Sequence, residues 1–318
     1  MNHSAMNSPT LPLPEEKKER LRQLRRHLTE NIRGQEQVIE RVAAVLVRGE
    51  LGLASPRRPK GSFLFVGPTG VGKTELTNVF TAYLFDERKP VRFDMSEYQN
   101  QSSVEKLLGG RPGDIGLLGK ALLGVGESTL LFDEIEKAHP LVLDLFLQML
   151  EDARITLASG ETKDLRRFYL VFTSNIGAAE AMRMQSAPFA SIERTVLARV
   201  SQQLRPELVG RVSEKLVFTR LPFETQRAIC EQMIDRERVR LRRLGFEIEV
   251  PESVVEHMLR QGYHRTLGAR PMRAAVESLM QRAVADDLLG GGSGSGRLTA
   301  LPCSENLSFT FPDDSARR

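Results

Sequence analysis

The chain has 318 residues, of which 41% are hydrophobic and 27% charged, a balance typical of soluble globular proteins with one large or two modest domains. No apolar run approaches the length of about 18 residues that a membrane span needs, and the N-terminal segment lacks the apolar region of a secretory signal. The net charge of +4 permits contact with nucleic acid but is too small to argue for it. Cys230 and Cys303 are isolated and lack metal-ligand spacing, so we expect a reducing, cytoplasmic location without membrane contact.

The N-terminal residues 1–14 are rich in Ser, Pro and Asn and are predicted to be disordered. A highly charged helix follows, EEKKERLRQLRRHLTENI, with Leu21, Leu24 and Leu28 on one face. We predict that its basic face is solvated surface. Residues 1–27 are therefore assigned to a tail and the charged helix, ahead of the main domain.

Between Gly61 and Phe218, apolar strands alternate with helical patterns; the strands are FLFV, VRFDM, TLLFDE, FYLVFTSN and KLVF. This alternation predicts an α/β domain, a mostly parallel sheet with flanking helices, over residues 28–219. From about residue 220 the pattern changes to long charged helices around a short strand, FEIEV. We predict a smaller, mostly helical domain with a small sheet over residues 220–318, containing a flexible tether, GGGSGSG, and an edge strand, LSFTF.

The strongest chemical signal is a phosphate-binding loop, FLFVGPTGVGKTE, placed between an apolar strand and a helical run. Its glycines let backbone N–H groups surround the phosphates of ATP, Lys73 supplies a positive charge, and the Thr74 hydroxyl is suited to bind Mg²⁺. The predicted nucleotide-binding residues of this loop are Gly67, Pro68, Thr69, Gly70, Val71, Gly72, Lys73, Thr74 and Glu75.

A second signal is the buried strand of TLLFDEIEKAH, which ends in two carboxylates. Asp133 is predicted to hold Mg²⁺ together with Thr74, and Glu134 to polarise the attacking water. Alone, such a strand end is more often a solvated turn, but the preceding phosphate-binding loop favours the catalytic interpretation. Asn175, at the end of FYLVFTSN, is placed to reach the γ-phosphate or the water, although Ser-Asn after a strand is also typical of a turn.

Taken together, the motifs resemble those of Clp-type AAA+ ATPases, and most of all the second ATPase module of the ClpA and ClpB unfoldases and disaggregases. The stretches that carry the resemblance are GSFLFVGPTGVGKTEL, FDMSEY, DEIEKAHP, TSN, RPELVGR and GYHRTLGARPMR. The resemblance implies an ATP-hydrolysing ring, a hexamer in this family, that acts on protein clients. It also implies that Arg211 is an arginine finger for a neighbouring subunit, that Arg270 is a nucleotide sensor, and that Ile32 lines the adenine pocket.

The glycine-rich segment 107–124 is predicted to be a surface loop. In the relatives this loop carries a Gly-Tyr-Val-Gly tetrad that grips the threaded polypeptide, whereas here the tetrad is Gly113-Asp114-Ile115-Gly116. An aspartate offers charge in place of the tyrosine's large apolar face, and Ile115 remains as an apolar contact. Two roles stay open for Asp114, contact with the client and formation of the local turn.

Two functional hypotheses follow. The first is an ATP-driven protein remodeller with a narrower client range than a general disaggregase. The second is a nucleotide switch or assembly factor, associated with nucleic acid, that threads no polypeptide. Partnership with the protease ClpP is not expected, because no Ile/Leu-Gly-Phe/Leu tripeptide lies between Asn175 and Arg205.

Overall fold

The computed structural model describes residues 13–184, 186–300 and 306–310. The chain divides into two units, one holding residues up to 67 and 72–219, the other holding residues 68–71 and those from 220 onward. In the described residues, no helix combines the length and the apolar character needed to cross a bilayer.

The first unit is built on a parallel sheet. Its strands are β1 (Gly61–Val66), β2 (Val91–Asp94), β3 (Thr129–Asp133), β4 (Arg154–Thr156), β5 (Thr162–Asp164), β6 (Tyr169–Ser174) and β7 (Glu214–Val217). Five of them pair in the order β2-β3-β6-β1-β7, all parallel, while β4 and β5 form a separate antiparallel hairpin. Every residue of β1, β3 and β6 is buried, because helices cover both faces of such a sheet.

Helices flank this sheet: α1 (Glu15–Asn31), α2 (Glu36–Glu50), α3 (Lys73–Leu84), α4 (Gln101–Leu108), α5 (Gly116–Ala121), α6 (Pro140–Asp152), α7 (Ala178–Arg183), α8 (Phe189–Gln203) and α9 (Pro206–Arg211). Helix α1 buries the predicted leucine face at Leu21, Leu24 and Leu28. It packs against α2 and α3, and it runs without a break through the predicted boundary at residue 27. The charged helix is therefore part of the first unit, since its leucines need the neighbouring helices to be buried.

The second unit contains α10 (Phe223–Arg243), α11 (Glu252–Gly262), α12 (Arg270–Leu289), β8 (Ile248–Glu249), β9 (Gly296–Ala300) and β10 (Leu307–Thr310). The strands pair in the order β10-β9-β8, with β9 antiparallel to β10 and parallel to β8. The core between the helices and the sheet includes Cys230. Burial raises the pKa of its thiol to about 11.

The predicted fold class, a parallel sheet with flanking helices followed by a smaller helical domain with a small sheet, is confirmed. Strand β10 is the predicted edge strand, of which Phe311 lies outside the described residues.

Two predictions about glycine-rich segments are wrong. The segment 290–296 is not a loose tether, because the Gly294 N–H donates to the Asp287 carboxylate at 2.8 Å and the Ser295 hydroxyl accepts from the Glu247 N–H at 3.0 Å. The segment 107–124 is not entirely loop, because it contains α5, in which Leu118 is buried. Both segments are held in place by contacts with residues elsewhere in the chain. The glycine content of a segment does not reveal such contacts.

Candidate active site

The phosphate-binding loop joins β1 to α3. Gly67, Gly70 and Gly72 have φ angles of 139°, 73° and 105°, a backbone region that favours glycine. A Cβ atom at Gly67 would lie 2.3 Å from the carbonyl oxygen of Phe218, so no side chain fits there. Helix α3 begins at Lys73, which directs its first N–H groups toward the loop. The loop therefore has the curvature and the backbone donors that phosphate groups require.

Lys73 is buried, with 8% exposure. It donates to the Gly67 carbonyl at 2.6 Å and to the Asn175 side-chain oxygen at 3.0 Å. The predicted phosphate-binding cation and the predicted polar residue at the end of β6 are thus in direct contact.

Asn175 also contacts the acidic end of β3. Its side-chain Nδ2 donates to Glu134 Oε1 at 3.3 Å, and its backbone N–H donates to Glu136 Oε1 at 3.1 Å. Since β3, β6 and β1 are neighbours in the sheet, their carboxyl ends bring Lys73, Asn175 and Glu134 into one hydrogen-bonded chain.

Asp133 is 4% exposed, and both of its carboxylate oxygens accept hydrogen bonds. Oδ1 accepts from the Thr173 hydroxyl at 2.8 Å, and Oδ2 accepts from Arg92 Nε on β2 at 2.5 Å. Sequence reasoning missed both partners. Thr173 lies within the strand pattern FYLVFTSN, and Arg92 approaches Asp133 only because β2 pairs with β3.

Glu134 has a left-handed backbone, with φ 57° and ψ 50°, a strain of about 1–3 kcal/mol for a residue with a side chain. Its N–H donates to the Thr173 hydroxyl at 3.2 Å, and its carboxylate pairs with Lys137 at 2.5 Å. The hydrogen bond and charge of Glu134 raise the pKa of Lys137. Lys137 is a further residue that sequence reasoning did not single out.

Two further residues predicted to contact nucleotide, Ile32 and Arg270, lie outside the phosphate-binding loop. Ile32 follows α1 and is 4% exposed. Close to it, the buried Gln35 amide bonds both the N–H and the carbonyl of Thr219, which anchors the segment after α1 to the segment after β7. Arg270 is an exposed first residue of α12, in the second unit. The roles assigned to Ile32 and Arg270 stay predictions.

Arg211 is the last residue of α9. Its guanidinium forms an ion pair with Glu151 of α6 at 2.7 Å, and 28% of its side chain is exposed. The predicted finger is thus held at the surface by a carboxylate of the same chain.

Asp114 accepts two backbone hydrogen bonds in its own loop, from Gly116 N–H at 3.0 Å and from Gly110 N–H at 3.2 Å. These bonds lower the pKa of its carboxyl group. Ile115 is half-buried and packs against the core of the first unit. Two leucines of this segment are exposed, Leu117 at 47% and Leu123 at 57%, and sequence reasoning missed both. These contacts support the turn-forming role of Asp114.

Comparisons with known proteins agree with the geometry. Residues 58–215 match the family described as AAA domain (Cdc48 subfamily), and residues 221–299 match the C-terminal, D2-small domain, of ClpB protein. The chain is 39% identical to heat shock protein 100 of Trypanosoma brucei brucei, over 96% of this chain and 35% of that protein. It is 36% identical to the chaperone protein ClpB of Aquifex aeolicus (strain VF5), over 95% of this chain and 31% of the relative.

Among solved structures, a closed-state cryo-EM reconstruction of Hsp104 with ATPγS and FITC casein superimposes with a TM-score of 0.81 and 31% identity. The superposition covers 91% of this chain and 52% of that chain. The chain spans 31–37% of the length of the first curated relatives that it matches.

Proposed function

The chain belongs to the Clp-type AAA+ ATPases and corresponds to their second ATPase module, and on that premise we propose that it hydrolyses ATP in a ring of subunits to remodel protein clients. The observation that carries the proposal is the hydrogen-bonded chain from Lys73 through Asn175 to Glu134. It joins a phosphate-binding cation to a carboxylate through one polar side chain, at the edge of the sheet where ligands bind.

The loop fits the triphosphate of ATP. Positive φ angles at Gly67, Gly70 and Gly72 turn the backbone N–H groups inward, and Lys73 supplies charge for phosphate oxygens. Thr74 and Asp133 are the proposed Mg²⁺ residues, Asp133 acting through bound water. When bound, Mg²⁺ would neutralise phosphate charge. The remaining loop residues proposed to contact nucleotide are Pro68, Thr69, Val71 and Glu75.

Glu134 is the proposed proton acceptor for the attacking water. The water oxygen bonds to the γ-phosphorus while the bond from that phosphorus to the bridging oxygen breaks, leaving its electron pair on ADP. Glu134 takes the proton that the water loses, and Asn175 orients the carboxylate. In the structure Lys137 forms an ion pair with this carboxylate.

The ring, a hexamer in our proposal, is supported by Arg211. A partly exposed arginine on a short helix is suited to reach a phosphate of the adjacent subunit, and such a finger accelerates hydrolysis by about 10³–10⁵. Arg270 is the proposed nucleotide sensor of the second unit, and Ile32 is the proposed contact to adenine.

We propose a cytoplasmic location and no partnership with the protease ClpP.

The proposed client is an unfolded polypeptide, which the segment 107–124 would contact. Exposed Leu117 supplies an apolar contact, and exposed Arg111 and Lys120 supply positive charge. The nucleotide-switch hypothesis has less support, because the sequence carries the full proposed set of hydrolytic residues and a switch needs neither Glu134 nor Arg211.

The test measures ATP turnover alone, with FITC-labelled casein, and with single-stranded DNA. We expect turnover that requires Mg²⁺ and rises with casein but not with DNA. Lys73→Ala is expected to abolish nucleotide binding, whereas Glu134→Gln is expected to keep binding and stop hydrolysis. Stimulation by DNA alone would favour the switch, and full turnover in Glu134→Gln would remove the role of Glu134.

A further inference from the structure

The Thr173 hydroxyl touches both acidic residues at the end of β3. It donates to Asp133 Oδ1 at 2.8 Å and accepts from the Glu134 N–H at 3.2 Å. A backbone N–H can only donate, so the hydroxyl must accept there, and its single proton is left for the Asp133 carboxylate. The direction of both hydrogen bonds is therefore fixed by chemistry.

The position of Thr173 follows from strand register. Phe132 of β3 lies beside Phe172 of β6, so the next residues, Asp133 and Thr173, are also neighbours. Thr173 is 3% exposed and Asp133 4%, so water does not readily replace the hydroxyl. Without the hydroxyl, a buried carboxylate oxygen and a backbone N–H would each lose this partner, a costly outcome in a buried site.

The hydrogen bond from Glu134 matters because that residue is strained. Its left-handed backbone lies between the end of β3 and the short 3₁₀ turn Ile135–Lys137. Such conformations persist only where surrounding contacts enforce them. The Thr173 hydroxyl is one of those contacts, and the backbone conformation that it holds directs the Glu134 side chain toward Asn175.

We propose that Thr173 is a positioning residue that sets the orientation of Asp133 and the backbone of Glu134 through one hydroxyl group. This inference rests on the proposed ATPase function for its kinetic consequence. Its structural consequence, protection of the Glu134 amide, is independent of any nucleotide.

The experiment compares Thr173→Val, which keeps the shape and removes the hydroxyl, with Thr173→Ser, which keeps the hydroxyl. Thr129→Val is the matched control, because Thr129 is fully buried at the opposite end of β3 and its hydroxyl bonds Thr81 at 2.8 Å. Thr173→Ala replaces the valine variant if that variant does not fold, as judged by thermal unfolding.

The first measurement is hydrogen exchange of the Glu134 amide in the nucleotide-free protein. We expect about tenfold faster exchange in Thr173→Val, the effect of losing one hydrogen bond, and near-native exchange in Thr173→Ser and Thr129→Val. The second measurement separates kcat from nucleotide affinity. We expect Thr173→Val to lower kcat about 100-fold, the scale of a misplaced catalytic group, with little change in the Kd for ATP.

Native exchange and native kcat in Thr173→Val would overturn the proposal, as would a serine variant as impaired as the valine variant. If the unaltered protein does not hydrolyse ATP, the proposed function fails. The exchange measurement then still decides whether Thr173 holds Glu134.

Discussion

Arg211 and Glu151 form an ion pair at 2.7 Å between the last residue of α9 and the carboxyl-terminal turn of α6. A second ion pair joins Arg205, the residue immediately before α9, to Asp144 of α6. The two pairs are alike in chemistry, but only Arg211 is proposed to act on a neighbouring subunit. The Arg205–Asp144 pair is therefore an internal control for every experiment on Arg211.

Arg211→Ala is expected to leave ATP affinity nearly unchanged and to reduce turnover by about 10³–10⁵. The reason is that the Arg211 guanidinium would stabilise the transition state of hydrolysis in the adjacent subunit. Arg205→Ala, the control, is expected to keep most turnover. ATP binding is measured by fluorescence titration and turnover by phosphate release. Mixing Arg211→Ala with Glu134→Gln should restore part of the activity, at interfaces that join an intact finger to an intact site. A monomer in sedimentation at every nucleotide state would contradict the ring.

Glu151→Gln tests whether the ion pair restrains the finger. An exposed ion pair stabilises by about 0.2–1 kcal/mol, so releasing Arg211 is expected to leave turnover unchanged or raise it up to about fivefold. Asp144→Asn, the matched change in the second pair, should have no effect on turnover. Steady-state kinetics at saturating ATP measures both. A loss of more than tenfold in Glu151→Gln alone would show that Glu151 aims Arg211 rather than restraining it.

The elements that the sequence predicts correctly are those whose pattern is local. Strands β1, β3 and β6 are mostly apolar runs because both faces of the sheet are covered. A residue of the candidate site lies at the carboxyl end of each, Gly67 directly after β1, Asp133 at the end of β3 and Asn175 directly after β6. The hairpin of β4 and β5 and strand β9 are short and mostly polar, so their sequences carry little strand signal. These strands form because each pairs with a neighbouring strand, β4 with β5, and β9 with β8 and β10.

Helix α5 was missed because glycines suggest a loop. At Gly119 a Cβ would lie 2.6 Å from the Leu157 side chain, so this glycine allows close packing rather than flexibility. In the site, Lys73 and Glu134 follow from local motifs, whereas Thr173 and Glu151 act through contacts between elements distant in sequence. Single-sequence patterns do not encode those contacts.

Ala153→Gly is expected to stabilise the first unit. Ala153 ends α6 with φ 46° and ψ 42°, a left-handed conformation that costs an alanine about 1–2 kcal/mol. Glycine adopts it freely, but it loses more entropy on folding and lacks the buried methyl group, so a net gain below about 1 kcal/mol is expected. Ala44→Gly, at an exposed site within α2, is the control and should destabilise by about 1 kcal/mol. Urea unfolding measures both. Equal destabilisation by the two changes would contradict the assigned strain.

The carboxylate of Asp114 holds the backbone of its own loop. It accepts hydrogen bonds from the Gly110 and Gly116 N–H groups, which lower its pKa. The stability of the loop therefore depends on pH. Because the folded-state pKa lies below the ordinary value of 3.8, the stabilisation is fully present above that value and is lost as pH falls through the folded-state pKa. At neutral pH, Asp114→Tyr removes both hydrogen bonds. We expect faster hydrogen exchange at the Gly110 and Gly116 amides and no gain in affinity for unfolded protein.

Leu117→Ser should instead weaken client binding, because the Leu117 side chain is 47% exposed and, being apolar, forms no hydrogen bond within the loop. Burying a leucine stabilises a complex by about 1.5–3 kcal/mol, so we expect the Kd to rise about tenfold or more. Leu53→Ser, at a side chain 69% exposed in the segment after α2, is the matched control and should bind normally. Fluorescence anisotropy of FITC-casein, with ATP in a Glu134→Gln background, measures all three variants. Tighter binding by Asp114→Tyr with an intact ring would mean that position 114 reaches the client, and the turn-forming role would then be wrong.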